Sequence, residues 1–160
     1  MGVMHVTQAV VAREHEWVTN RADRTVTLVN NVRGALGELF EKTVDQVTVT
    51  QYRQEVDRVF ANGDLGVNVA ALVALLRDLD VEDDYPGFVV DELLGRELAG
   101  MLAGNQPLRM LGEATFHYAD VRVHDGNAGV DDLDAALAAG FQTRLPGWDW
   151  TETESPFSVD

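Results

Sequence analysis

Apolar residues in this chain recur every three or four positions, the spacing that gathers side chains on one face of a helix. Leu28, Val32, Leu36 and Leu39 form one such stripe, widened by Val29 and Phe40, and Val6, Val10 and Trp17 form a partial one before it. The polar stretch 19–24 lies between them, so the region holds two helices or one long helix with a solvated middle. Its many Val and Thr residues lower helix propensity, and residues 25–29 also suit a strand.

The later segments follow the same logic. Val44, Val47 and Val49 are β-branched and ambiguous. Thr50 can cap a helix over residues 51–61, stopped by Asn62-Gly63-Asp64. Asp64 can then cap a helix over 65–79 that holds the most apolar run in the chain. That run is apolar nearly all round and predicts a central, buried helix. Residues 88–103 read as an amphipathic helix ended by Gly104-Asn105. Residues 108–124 fit a helix or a strand alike. Asp131 or Asp132 opens a short helix that runs through Ala139 to Gly140. From Phe141 onward no helical period remains, and the segment carries Trp148, Trp150 and Phe157. The expected fold is therefore mainly α: one helical bundle of five to six helices over 1–140, room for a short β element, and an extended C-terminal arm over 141–160.

Charge narrows the function. Lys42 is the only lysine. Eleven arginines are set against 27 acids, for a formal net charge of −15 and a pI near 4.4. Nucleic acid needs a basic footprint, and the arginines form no run. Anionic membranes would be repelled, and no apolar window is long enough to span a bilayer. The N-terminus has no signal-peptide pattern, which places the chain in a cytoplasm or a virion. Aspartate outnumbers glutamate 16 to 11. With a single lysine, that balance suits a halophilic source, where salt screens repulsion; a GC-rich genome would also replace lysine with arginine.

Catalytic chemistry finds little to draw on. With no cysteine, disulfides, thiolate catalysis and zinc–thiolate sites are excluded. Glu113 and His117 are four apart, as are Asp120 and His124. On one helix each pair would face one side and offer metal ligands, but about three turns separate the outer residues. Glu14 and Glu16 flank His15, where neighbours on a helix point apart; the segment reads as a charged face anchored by Trp17. The acidic loop 78–84 lacks the glycine and glutamate of a calcium-binding hand. The two serines, Ser155 and Ser158, sit in no nucleophile motif.

The aromatic residues of the arm carry most weight. Rings on a segment that builds no core of its own are frequent anchors in a partner's groove. The expected function is thus a non-enzymatic structural or interaction subunit of a larger assembly, homo- or hetero-oligomeric, binding through Trp148, Trp150 and Phe157. No cofactor is expected. A concrete form is a head–tail adaptor in a tailed virus of a halophilic host. The alternatives are a small metal-dependent helical enzyme using Glu113, His117, Asp120 and His124, and an acidic regulator that binds a basic partner.

Overall fold

The structure is a computed structural model, and it describes residues 6–41, 43–78, 87–104, 108–120 and 128–146. Among these, the chain forms seven helices: α1 (Gln8–Asn20), α2 (Ala22–Phe40), α3 (Val49–Phe60), α4 (Gly63–Asp78), α5 (Gly87–Ala103), α6 (Leu108–Asp120) and α7 (Ala128–Phe141). The mainly helical class is as expected, but the number is seven rather than five or six. One addition comes from the stretch 6–40, where the polar middle breaks the helix at the single residue Arg21 (φ −86°, ψ 6°). Residues 25–29 lie inside α2, and residues 108–120 are helical, not extended.

No strand forms among the described residues. The β-branched segment before α3 is instead clipped to α2 by side chains. The Asn30 amide donates to the Val47 carbonyl (3.1 Å) and accepts from the Val47 N–H (2.8 Å). One side-chain amide thus supplies the pair of bonds a neighbouring strand would give. The α3 cap lies two residues before the expected Thr50. Thr48 accepts from the Gln51 N–H while the Gln51 side chain accepts from the Thr48 N–H, a reciprocal capping box. Helix α2 ends on Glu41 in the left-handed region (φ 54°, ψ 43°), where its N–H meets the Gly37 and Glu38 carbonyls.

The central helix is α7, not α4. Leu133, Ala135–Ala139 and Phe141 are all buried, and α7 packs on α5, α6, α2 and α4. Helix α4 buries Val69, Ala70, Val73, Ala74 and Leu76 but turns Val67 and Leu75 toward solvent, each about 40% exposed. No single helix among the described residues is long and apolar enough to cross a membrane. The α3–α4 pair that would suffice by combined length bends by 109° at its break.

Helices α5, α6 and α7 approach closely because small residues meet. A Cβ at Gly140 would sit 2.6 Å from Leu102 Cβ and 3.0 Å from the Ala99 carbonyl oxygen. One at Gly112 would sit 2.8 Å from Ala103 Cβ. Both distances are shorter than packed atoms tolerate, so these helices lie closer than any larger residue would let them.

Candidate functional site

Helix α7 does not end the packed body. Gln142, Thr143 and Leu145 are buried, and the chain turns there through bonds such as Thr143 Oγ1 to the Gly140 carbonyl (2.7 Å). The organiser of this turn is Arg33. On α2 it occupies the stripe Val26, Val29, Arg33, Leu36, a core position, and it is almost wholly buried. Its Nη1 donates to the carbonyls of Asp45 (3.0 Å) and Pro146 (2.6 Å), and its Nη2 to those of Gln142 (2.7 Å) and Leu145 (2.9 Å). All four terminal N–H groups are thereby spent on main-chain oxygens. A planar five-donor fork suits this task, whereas a lysine could not reach four carbonyls in a plane. Burial pushes the guanidinium down to about 10, with Asp45 pulling it back up, so it is charged at neutral pH. A second arginine reinforces the turn. Arg144 Nε pairs with Glu55 Oε1 on α3 (2.9 Å), and its Nη1 donates to the Leu102 carbonyl on α5 (3.1 Å). The turn over residues 142–146 is thus fixed to α2, α3 and α5.

Two further buried carboxylates tie the helices together. Glu14 is fully buried on α1. Arg77 Nη1 of α4 lies 2.6 Å from each of its oxygens, and Arg13 Nε lies 2.9 Å from one. Trp17 lies beside this pair, with the guanidinium carbons of Arg77 and Arg21 at 5.0 and 5.1 Å from its ring centroid. On α7, Asp134 receives Arg21 through both oxygens, Nε to Oδ1 at 3.1 Å and Nη2 to Oδ2. Near it, Tyr52 donates to the Val18 carbonyl (3.1 Å), and burial raises its hydroxyl pKa far above the ordinary value.

The structure corrects the reading of residues 13–17 as a charged face. Glu14 belongs to the core, and His15 stacks on Phe60 (4.7 Å between centroids) while hydrogen-bonding Asp57 at 2.7 Å. The signal was in the sequence: Val10, Glu14 and Val18 share a four-residue step, as do Val29 and Arg33, and a charge on an apolar stripe announces a buried partner.

The metal-ligand candidates gain no support from the described residues, among which no group of three or more His, Asp or Glu could hold a metal ion. Glu113 faces Arg109 at 3.5 Å and lies against Gly100, and Asp120 is the half-buried last residue of α6. The His117 side chain and His124 lie outside the described residues, as do Trp148, Trp150, Phe157 and most of the acidic loop 78–84.

Three surface grooves are described. One, of about 500 Å³, runs along the α3 face of Gln51, Gln54, Glu55 and Arg58 and is closed by the turn 143–146. A smaller one, of about 330 Å³, is bordered by Glu38 and Glu41. The third, of about 520 Å³, opens between α1 and the α3–α4 turn, lined by apolar side chains such as Val6, Val11, Phe60 and Val67.

No curated protein and no solved structure matches this chain. A family model described as "Domain of unknown function (DUF7984)" matches residues 4–160.

Proposed function

The chain belongs to the DUF7984 family over nearly its whole length, and we propose that it is a non-enzymatic structural or interaction subunit of a larger assembly. It engages other protein subunits through Trp148, Trp150 and Phe157 on its C-terminal segment. The observation that carries this reading is the Arg33 clamp: a buried charge joins the carbonyls of Gln142, Leu145 and Pro146 to that of Asp45 and fixes the chain as far as Pro146, two residues before Trp148. Desolvating a guanidinium costs several kcal/mol before its bonds offset it, a large outlay for a segment with no task. The concrete form we favour is a head–tail adaptor-like virion component of a tailed virus from a halophilic host. The acid-rich composition and the single lysine support that choice of host.

The test is the mass of the full chain by light scattering at low and multimolar salt, alone and with the products of neighbouring genes. Assembly that is lost in the variant Trp148→Ala/Trp150→Ala/Phe157→Ala supports the proposal. A lone monomer under every condition overturns it.

A further inference from the structure

We propose that the polar groove between α3 and the turn 143–146 is a carboxylate-binding site, in which Arg58 and Arg144, converging on Glu55, grip an acidic residue of a partner's extended peptide segment. The site uses none of the aromatic residues named above and rests on that reading only for the existence of a partner.

The first observation is charge. The whole chain sets 27 acids against 12 lysines and arginines, yet at Glu55 the ratio inverts. Arg58 Nη1 lies 2.9 Å from Glu55 Oε2 and Arg144 Nε lies 2.9 Å from Oε1, so two guanidiniums share one buried carboxylate and one positive charge is left over. Glu14 and Asp134 also draw two arginines each, but neither borders a described groove, whereas Glu55, Arg58 and Arg144 all line this one. An anionic segment is repelled by most of a surface at −15 and drawn to the place where cations outnumber acids.

The second is unspent donors. A guanidinium offers N–H groups along each of its edges. Among the described residues Arg58 spends Nη1 on Glu55, and Arg144 spends Nε on Glu55 and Nη1 on the Leu102 carbonyl. Neither makes a further bond there, which leaves Nη2 of both for a ligand carboxylate, an acceptor with two oxygens. Arg144 is 23% exposed, held by two elements, and its turn is held in place by Arg33. Donors placed before the ligand arrives lose little freedom on binding.

The third is shape. Gln51, Gln54, Glu55 and Arg58 follow one another at steps that place them on one face of α3. Gln51 spends its side-chain oxygen on the Thr48 N–H and keeps its NH2, and the Gln54 amide makes no bond among the described residues. Side-chain amides donate and accept, which suits the main chain of an extended peptide. From Gln51 to Arg58 is about 10 Å of helix, the length of about three extended residues. A lone small anion would fill little of a groove of about 500 Å³.

The test is a titration of the isotope-labelled full chain, followed by its amide chemical shifts in about 0.1 M KCl, where surface charges act over about 10 Å. The probe is a short acetylated peptide that alternates glutamate with serine. Saturable shifts are expected at residues 51–58 and 143–145. Arg58→Gln, a change at an exposed position that leaves Arg144 on Glu55, should weaken binding about tenfold or more while the rest of the amide spectrum stays unchanged. Overturning results are shifts that are absent or spread over the surface, equal binding by the peptide's glutamine counterpart, and indifference to Arg58→Gln. Potassium acetate that matches the peptide at equal carboxylate concentration would also overturn it, giving the site to small anions. The titration reads the groove in a single chain, so a protein that binds the peptide yet stays monomeric with all partners keeps this site and loses the assembly role.

Discussion

In the half formed by α5, α6 and α7 the helices meet at small residues, Gly112 of α6 against Ala103 of α5, and Gly140 of helix α7 over Leu102 and Ala99 of α5. Toward α1 and α2, the same helix is tied by Asp134 to Arg21, and deeper in that half Glu14 meets Arg77. One half is held by closeness, the other by buried charge. Close packing gains dispersion at every contact and tolerates no added atom. A buried ion pair gains little net stability but makes any partner lost from it costly. The first half should therefore be brittle to size, and the second brittle to unpairing and tolerant of size.

The sharpest way to break this contrast is Gly140→Val. It forces side-chain atoms into Leu102 and the Ala99 carbonyl and should cost about 3 kcal/mol, read from chemical denaturation; a loss under 1 kcal/mol would mean the helices can part cheaply. Next comes Glu14→Ala, which leaves Arg77 without its buried carboxylate and should cost about 2–3 kcal/mol. The double change Glu14→Leu/Arg77→Met should recover most of that loss, within about 1 kcal/mol of the parent, because an apolar pair of similar volume needs no desolvation. Recovery that fails would show the pair itself to be the source of stability.

Salt tests the charged half from outside. At −15 the surface repels itself, and raising KCl from about 0.1 to about 2 M screens that repulsion while the buried pairs are little affected. The unfolding midpoint should rise with salt in the parent and in Gly140→Val alike; a fall would place the stabilising charges on the exposed surface instead.

The smallest expected effect is Tyr52→Phe, about 1 kcal/mol for the lost bond to Val18. Because the folded state holds the Tyr52 proton more tightly than the unfolded state does, its contribution is complete below pH 10 and declines as pH climbs above it. Arg33, whose folded pKa is depressed to about 10, acts in the opposite direction in the same range, but equally in both proteins. The parent should therefore lose stability relative to Tyr52→Phe above pH 10.

Much of the fold was legible from spacing. The helical class follows from the three-and-four pattern, and α5 ends at Gly104, which adopts φ 88° as a terminating glycine does. The wrong choice of central helix has a physical source. The apolar run in α4 counts Val67 and Leu75, which face solvent, whereas α7 reaches the centre through alanines and Gly140, whose value is nearness, not bulk. The cap at Thr48 was missed because Gln51 was read as helix body, not as half of a capping box. Of the site, arginines as carboxylate forks could be anticipated from composition, and Arg21, Arg77 and Arg144 act so. That Arg33 would grip carbonyls 109 to 113 residues away could not, because nothing local marks which distant oxygens a fork will meet.

The central place of α7 has a consequence for how the protein is made. The helix around which the others close is translated after the other six described helices, and Arg21 and Arg33 must wait for partners more than a hundred residues downstream. On the ribosome, α1–α6 emerge with their inner faces uncovered, and the nascent chain cannot close its core until residues 128–146 have cleared the exit tunnel.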